Sequence, residues 1–487
     1  MRSSRWIHSS FIAALSALLL VHAGCSTTGN INGGDDSSAD DDDTQGDDDD
    51  TPPLPGTPDA STPGTPDAHI NPPGTPDANE GDDPDAEEPD DPPDAGPPIT
   101  GNGLGPWTGH DNVPWSQSPP FGLPVNRVPQ FVSFGFDDNG YSGLDGSNGT
   151  GGFSWSTTMA ASRHNPAGSG NAGTYDGTGI KFSYYLTTAY IAIWESESPT
   201  YVKRAWNKAL VDGHDMGDHT QTHSHGAAFS VEQWANEIQL CIDWITKPFD
   251  PNEVNFSPDD SKGAGVPRNI IYGYRTPFLE YNDKTFTVLS QKNFYYDTSV
   301  EEGWQEDIDG KNFPWPFTLD HGSPGNELLV SWQLDPPKEH MTNHPGLWEL
   351  SPHPFIVPPD DQCAHYGVNY SIRNKYHGIA SWFDVDSGKI TGLDYNVWVQ
   401  FSATKAEWLA IMKYTLDQRL AGNRAPMTIG AHTDIYSSKY TAAAGATPAE
   451  RQQAVQEFLD YALSKSVVRV VSNKQILDWV RNPVPLP

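Results

Sequence analysis

Residues 101–487 predict an α/β fold with a mostly parallel sheet. Short apolar runs, typical of buried strands, alternate with amphipathic helical patterns, which is the βα rhythm of a parallel sheet. Several of these runs stop abruptly at charged or imidazole side chains, and the C-terminal ends of barrel strands are where α/β barrels keep their chemistry. We therefore expect one folded domain with its functional groups collected at one edge of the sheet.

The first 25 residues have the pattern of a secretion signal. Arg2 and Arg5 give a positive start, and an apolar stretch too short to span a bilayer follows. It ends at Ala23-Gly24-Cys25, and small residues before a cysteine resemble a bacterial lipobox. We expect a lipoprotein-type signal with lipidation on Cys25. Plain cleavage and secretion is the alternative.

Residues 26–100 predict a disordered acidic linker. They contain 19 Asp and 3 Glu with no Lys or Arg, and such a segment repels itself and buries no apolar area. The unit Pro-Gly-Thr-Pro-Asp-Ala occurs three times, and frequent proline stiffens a chain toward an extended coil. We expect a spacer that holds the domain of residues 101–487 away from a membrane or envelope.

The charge of the folded region argues against a nucleic-acid partner. The whole chain carries −35, of which 26–100 contributes −22 and the two arginines of the signal +2, leaving −15 for 101–487. Phosphate binding requires basic stripes, whereas a neutral substrate is compatible with this charge. Cys241 and Cys363 are either a disulfide or two free thiols, because two cysteines in an exported protein allow both.

Four expected strands end in reactive side chains. The runs with their terminal groups are 131–136 with Asp137 and Asp138, 269–274 with Arg275, 294–296 with Asp297, and 425–431 with His432. Further strands are expected over 180–188 and 467–471. Parallel strands bring their C-terminal ends to one edge, so these groups predict a common site. The alternative for the two adjacent aspartates is a simple Gly-rich turn.

Helices are expected over 201–211, from Ser230 onward, and over 407–420, 448–463 and 473–480, where apolar residues recur at helical spacing. Ser230 and Gln233 fit an N-terminal capping box. The stretches 139–179 and 304–400 lack periodicity and predict long loops, which often bind ligands. Trp348 lies in the second stretch, where each tryptophan either stacks on a sugar or packs in the core.

The run 212–226 contains four histidines, His214, His219, His223 and His225. Neutral imidazole is the commonest protein ligand of transition metals, and a four-residue spacing can aim two side chains at one ion. His219 and His223 are therefore the candidate ligands, whereas His214 and His225 are expected to support them or to be solvated. The alternative is a solvated polar turn.

These features combine into a known pattern. In chain order the motifs are Phe136-Asp-Asp138, His219-Thr-Gln-Thr-His223, Arg275-Thr-Pro-Phe278 and Ile429-Gly-Ala-His432. Residues 128–483 thereby resemble the polysaccharide deacetylases with a NodB homology domain, carbohydrate esterase family 4, and most closely their chitin-deacetylase-like branch. The resemblance implies a distorted (β/α) barrel of about seven strands in a single catalytic domain.

The resemblance also implies one divalent metal per chain, usually zinc, on Asp138, His219 and His223, with open positions for water and substrate. Asp137 is the implied general base and Arg275 its partner.

His432 is the implied acid that protonates the leaving amine. Asp297 is expected to orient it, with Glu302, Glu349 and Asp434 as alternatives, because the Asp-Trp pair of the family's fourth motif is not evident. A backbone N–H near Phe278 and the indole of Trp348 are expected to contact the oxyanion or the substrate. Phe278 stands where the family usually has tyrosine.

The expected function is metal-dependent removal of acetyl groups from N-acetylglucosamine units of an extracellular glycan, such as chitin, peptidoglycan or an exopolysaccharide. A surface-tethered glycan-binding protein with little turnover is one alternative, favoured by the many tryptophans. A related barrel amidohydrolase or O-acetyl esterase is another. We expect a monomer exported to the bacterial envelope or secreted, with membrane contact only through Cys25.

Overall fold

The computed structural model describes residues 103–144, 149–193, 195–257 and 261–487. These residues fall in one structural unit. The predicted signal segment, Cys25 and the acidic linker lie outside them. The domain boundaries drawn from the sequence therefore stay predictions.

Eleven strands are present among the described residues. They are β1 (Gln130–Asp137), β2 (Ser183–Leu186), β3 (Asp215–Asp218), β4 (Gly273–Tyr274), β5 (Tyr296–Asp297), β6 (Phe317–Thr318), β7 (Trp348–Glu349), β8 (Phe355–Ile356), β9 (Lys389–Ile390), β10 (Met427–His432) and β11 (Val468–Val470). Nine of them form one sheet in the order β10-β1-β2-β3-β4-β5-β7-β6, with β11 beside the first half of β1. β6 is antiparallel to β7, and the other pairings in this sheet are parallel.

Helices connect the parallel strands and cover the sheet. They are α1 (Gly152–Ala161), α2 (Ala189–Ala192), α3 (Pro199–Val211), α4 (Val231–Thr246), α5 (Asp283–Gln291), α6 (Pro324–Ser331), α7 (Asp360–Cys363), α8 (Ile372–Ile379), α9 (Lys405–Ala421), α10 (Pro448–Leu463) and α11 (Asn473–Arg481). The predicted capping box of Ser230 and Gln233 opens α4, with both hydrogen bonds made. Among the described residues, no helix is long and apolar enough to cross a membrane.

The sheet is strongly curled, as a single contact shows. Strands β1 and β4 are three strand spacings apart, which is about 14 Å in a flat sheet. The guanidinium of Arg275, directly after β4, nevertheless donates to the carbonyl oxygen of Gly135 on β1 at 3.0 Å. Within the described residues no pairing joins β10 to β6, so the barrel is incomplete there. The predicted α/β class with a distorted (β/α) barrel is confirmed.

The two expected loops contain more structure than the sequence indicates. Helix α1 lies in the first expected loop, residues 139–179. Its polar and apolar residues do not separate onto two faces, because Ser156 and Thr157 are buried together with Phe153 and Met159. The stretch 304–400 contains four short strands and three helices. Short elements with buried polar residues leave no periodicity to detect.

Strand β3 is the clearest departure from the sequence-based expectation. Its sequence, Asp215-Met-Gly-Asp218, reads as a polar turn, yet all four residues are buried and pair with β2 along their length. Hydrogen bonds make this possible: Asp215 accepts from the hydroxyls of Ser183 and Tyr296, at 2.9 and 2.7 Å. The strand carries the metal-ligand candidates into the site. Cys241 and Cys363 are both buried and free, so no disulfide joins them.

Candidate active site

A left-handed turn at the end of β1 separates the two adjacent aspartates. Asp138 and Asn139 have φ values of 64° and 74°, a conformation that costs free energy for residues other than glycine. Asn139 stabilises it by donating to the carbonyl oxygens of Phe136 and Tyr185, at 2.9 and 2.8 Å, while its own oxygen accepts from the hydroxyl of Thr433 at 2.9 Å.

Asp138 faces both histidines that follow β3. Its Oδ1 lies 3.6 Å from Nε2 of His219 and 3.1 Å from Nε2 of His223. Nδ1 of His219 bonds the carbonyl oxygen of Arg275 at 2.7 Å, which fixes the proton on that nitrogen and leaves Nε2 as a lone-pair donor. His223 has a positive φ of 53°, which lets the chain reverse and bring the second ring to the same point.

This donor set fits a divalent metal. One ligand atom from each of Asp138, His219 and His223 lies within 4.8 Å of the others. The Oδ1 atom of Asp138 is buried and accepts no well-aligned hydrogen bond, so it is available to a cation. Two imidazoles and one carboxylate are a common zinc donor set with room for water and substrate. The three residues can therefore hold a metal ion.

The protonation of the two histidines differs. Burial lowers the pKa of His219 to about 3, and the neighbouring His223 acts in the same direction, so His219 is neutral. Burial also lowers the pKa of His223, but the Asp138 carboxylate outweighs it and the net pKa is raised. Although burial opposes it, His223 in turn holds the pKa of Asp138 well below its usual range. A bound cation takes the place of the proton on His223.

Asp137 and Arg275 form a buried ion pair. Nη1 of Arg275 donates to Oδ1 of Asp137 at 2.9 Å, and Nε donates to the carbonyl oxygen of Thr298 at 3.0 Å. Burial raises the pKa of Asp137 to about 6, even though the guanidinium lowers it. A carboxylate that titrates near neutral pH suits a general base. Gly135 leaves room for the arginine, since a Cβ there would lie 2.9 Å from Nη2.

His432 is held by Asp394, which corrects the prediction that Asp297 orients it. Nδ1 of His432 bonds Oδ1 of Asp394 at 2.7 Å, and the backbone N–H of His432 donates to the other oxygen at 3.1 Å. Burial lowers the pKa of His432, but the carboxylate of Asp394 outweighs it and raises the net pKa to about 10. His432 is thus a protonated imidazolium in this environment.

Three of the four acids considered for that role have other hydrogen-bond partners, and the fourth, Glu349, lies on a strand beside β5. Asp297 accepts hydrogen bonds from the N–H and the hydroxyl of Ser299, both at 2.8 Å. Its strand, β5, lies five positions from β10 in the sheet, which separates Asp297 from His432. Glu302 accepts from the hydroxyl of Ser323 and the N–H of Gly325. Asp434 accepts from the N–H groups of residues 140 and 141. Glu349 is paired with β5 in the sheet.

Phe278 borders the metal-ligand candidates, whereas Trp348 does not. The ring of Phe278 lies 4.5 Å from that of His223 and stacks on His225 at 4.2 Å. Trp348 is fully buried and its indole N–H donates to Asp111 at 2.8 Å. The prediction that Trp348 contacts the substrate is therefore wrong, because its strand turns the ring into the core.

A cavity of about 400 Å³ brings the reactive groups together. It is lined by the two aspartates, by His219, His223 and His432, and by the side chain of Phe278. Tyrosine and tryptophan side chains complete the wall, among them Tyr190, Tyr395, Trp304 and Trp332. Of the remaining histidines of the run, His225 bonds Glu280 at 2.9 Å, and His214 accepts at 3.0 Å from the N–H of Phe182.

One curated protein is similar in sequence to part of the chain. The chain is 24% identical over 224 residues to chitin deacetylase 8 of Bombyx mori, and the match covers 46% of each protein. The resemblance to the polysaccharide deacetylases is thereby confirmed. The chain spans about half the length of this curated relative. No protein-family model matches the chain.

Solved structures of the same group are similar at low identity. A protein assigned to the polysaccharide deacetylases, from Mycobacterium smegmatis, has a TM-score of 0.42 at 14% identity, covering 76% of this chain and 95% of that one. The carbohydrate esterase family 4 domain of a xylanase, from the hindgut metagenome of Trinervitermes trinervoides, has a TM-score of 0.31 at 9% identity, covering 72% and 90%.

Asp394 is the site residue that the sequence analysis missed. It is followed by Tyr395, so it forms an acid–aromatic pair, and helix α9 separates this pair from the strand of His432. Such a pair was expected only with tryptophan in the second position. An acid followed by an aromatic residue also occurs elsewhere, for example at Asp243-Trp244 and Asp478-Trp479, so this pattern alone does not single out Asp394.

Proposed function

We propose that this protein is a metal-dependent hydrolase that removes acetyl groups from N-acetylglucosamine units of an extracellular glycan. The observation that carries the proposal is that three functional groups from the ends of three strands, β1, β3 and β10, meet in one cavity. They are a three-residue metal-ligand set, a buried carboxylate with a pKa near neutrality, and a protonated imidazole.

Each of these groups has a defined role in amide hydrolysis. Asp137 takes a proton from the attacking water, and Arg275 keeps its carboxylate oriented. The new C–O bond forms first, which gives a tetrahedral adduct at the acetamide carbon, and the C–N bond of this adduct then breaks to release acetate and the amine. His432 delivers its proton to the departing amine, since Asp394 keeps it charged until that moment. A divalent metal, zinc in this proposal, supplies Lewis acidity to the carbonyl and to the attacking water when bound.

The choice of an acetylated glycan rests on the relative and on the cavity. The matched relative is named as a chitin deacetylase, which favours a chitin-like or peptidoglycan chain as substrate. Aromatic side chains in the wall provide faces on which sugar rings pack. The apolar start of the chain and its Cys25 favour export with a lipid anchor, and the acidic linker would then place the domain at a distance from the membrane. We further propose that the protein acts as a monomer.

The proposal is tested by acetate release from chitooligosaccharides and from peptidoglycan, with zinc added to the mature protein. The wild type is expected to release acetate. An Asp137→Asn variant is expected to bind zinc as the wild type does but to lose activity by about two to four orders of magnitude, because it lacks the base.

A matched control is Asp243→Asn, which changes an exposed aspartate on α4 and should keep full activity. Tight glycan binding without acetate release from the wild type would favour the glycan-binding alternative instead. Release from small O-acetyl esters alone would favour the esterase alternative.

A further inference from the structure

Two acids lie side by side in the interior, away from the proposed metal ligands. Asp297 on β5 and Glu349 on β7 face each other in the parallel register, and neither is exposed to solvent. Two adjacent carboxylates with no water would repel strongly and would be costly to desolvate. A proton or a cation is needed to make the arrangement stable.

The nearby cations are engaged elsewhere. The hydrogen bonds of Arg275 go to Asp137, Gly135 and Thr298. Lys338 donates to the carbonyl oxygen of Leu279, and its ammonium lies 3.7 Å from the ring centre of Tyr281. The other titratable groups that influence the pair are Glu302, Tyr274 and Tyr281, which supply no positive charge.

The hydrogen bonds assign the proton to one member of the pair. Both oxygens of Asp297 accept from Ser299, one from its N–H and one from its hydroxyl, so Asp297 is the ionised partner. Among the described residues, no well-aligned N–H or O–H donor reaches either oxygen of Glu349. The side chains of Ser351 and Asp297 lie beside Glu349.

We propose that Glu349 carries a proton that it shares with Asp297, and that this acid pair positions Arg275 and, through its carbonyl oxygen, the metal ligand His219. The link to catalysis rests on the function proposed above. Burial and the adjacent Asp297 raise the pKa of Glu349 well above its ordinary range, in agreement with the protonated form.

Hydrogen bonds of residues 298 and 299 connect the acid pair, Asp297 and Glu349, to the candidate active site. The hydroxyl of Ser299, fixed by Asp297, accepts from the backbone N–H of Thr276 at 2.8 Å. The carbonyl oxygen of Thr298 accepts from Nε of Arg275 at 3.0 Å. The same segment thus holds both the guanidinium that meets Asp137 and the peptide group whose oxygen bonds Nδ1 of His219.

The proposal predicts a characteristic pH dependence of stability. A group whose pKa is raised on folding contributes stability below its unfolded pKa and loses it as the pH rises through its folded pKa. Glu349 is such a group, so the wild type should lose stability toward alkaline pH. Glu349→Gln removes the titration but keeps an N–H donor for Asp297, whereas Asp297→Asn removes an anionic acceptor that Ser299 needs.

The two variants are compared with the wild type by three measurements that require no turnover. We expect a protonated-carboxyl C=O band in the infrared spectrum of the wild type, and its loss in Glu349→Gln. Between about pH 6 and pH 10 the unfolding temperature of Glu349→Gln should fall less than that of the wild type. Zinc affinity should fall about tenfold or more in Asp297→Asn and stay within about threefold in Glu349→Gln, as expected for the loss of a group that supports a ligand.

Acetate release adds a kinetic measurement. Asp297→Asn should lower kcat with little change in KM, and Glu349→Gln should lower kcat less, because its amide still donates to Asp297. Absence of the infrared band from the wild type would overturn the proposal, as would equal loss of zinc affinity in the two variants. A second bound metal that disappears in Glu349→Gln would show that a cation bridges the pair instead. If the wild type releases no acetate, the proposed function fails while these binding and spectroscopic results still decide the inference.

Discussion

His219 and His432 line the same cavity, yet their surroundings leave His219 neutral and His432 positively charged. His219 bonds a neutral backbone carbonyl and has its pKa lowered to about 3, with burial as the leading cause. His432 is also buried, but it bonds the carboxylate of Asp394 and its pKa is raised to about 10. The atom that accepts from Nδ1 therefore decides whether each imidazole presents a lone pair or a proton at its other nitrogen.

This difference divides the cavity into two halves. On the β3 side, a lone pair on His219 and the unsatisfied Oδ1 of Asp138 are suited to a cation. On the β10 side, a charged imidazole is suited to donate a proton to a leaving group. Asp137 lies between them on β1, where the His432 charge and Arg275 offset part of the effect of its burial. One residue type thus serves two purposes because the fold supplies two different partners.

The largest effect is expected from removing the anion of the β3 half. Asp138→Asn should lower zinc affinity by at least about a hundredfold, since direct ligands matter more than the groups that support them, and should abolish acetate release. Isothermal titration with zinc and an acetate assay measure the two effects. Asp243→Asn on the exposed face of α4 is the matched control. Wild-type zinc affinity in Asp138→Asn would contradict the ligand assignment.

The next effect concerns the β10 half. Asp394→Asn removes the carboxylate that keeps His432 protonated, so the pKa of His432 should fall toward or below its ordinary value. We expect kcat to drop by about two to four orders of magnitude and the alkaline limb of the kcat profile to move to lower pH. Zinc affinity should change little. Asp384→Asn, an exposed aspartate nearby in sequence, is the control, and an unmoved alkaline limb would count against the role of His432.

The residues of the two halves of the cavity could not be predicted equally well from the sequence. The ligands of the β3 half lie in compact motifs at strand ends, so Asp138, His219 and His223 could be named from spacing and resemblance. The partner of His432 could not, because Asp394 follows the short strand β9 and reaches β10 through tertiary contact alone. From the sequence, Asp297 was as good a candidate for the partner of His432 as Asp394, because it is an acid at the end of a strand. Only the order of strands in the sheet separates it from His432.

Burial of polar residues explains the other differences between expectation and structure. Helices α3, α4 and α11 were predicted within a few residues because their apolar residues recur on one face. Strand β3 was not, since Asp215 is buried by hydrogen bonds that come from β2 and β5, while Asp218 accepts from the N–H of Thr220. Trp348 was expected to contact the oxyanion or the substrate because it lies in a stretch without periodicity, whereas its indole N–H donates to Asp111 inside the core. Long-range hydrogen bonds leave no pattern in local sequence.

A third prediction uses pH to compare the two sides. His223 has a raised pKa because Asp138 outweighs the effect of burial, and it must lose its proton to bind a metal, whereas His219 is already neutral. Zinc affinity should therefore rise by about tenfold per pH unit while His223 is protonated and then level off. Titration calorimetry in buffers of different ionisation enthalpy should show about one proton released per metal. Affinity that is independent of pH would mean that His223 is not a ligand.

The smallest effect is expected from His225, a third histidine that belongs to neither half. Its ring stacks on Phe278 at 4.2 Å and its Nδ1 bonds Glu280 at 2.9 Å, so it supports the wall beside His223 without reaching the ligand cluster. His225→Ala removes one aromatic contact, which is worth about 0.5–1.5 kcal/mol, and should lower kcat/KM by no more than about tenfold with zinc binding intact. His219→Ala, measured in parallel, should lose both. If the two variants lost zinc affinity equally, His225 would have to be counted among the ligands. It would then bind the metal through Nε2, because Nδ1 bonds Glu280.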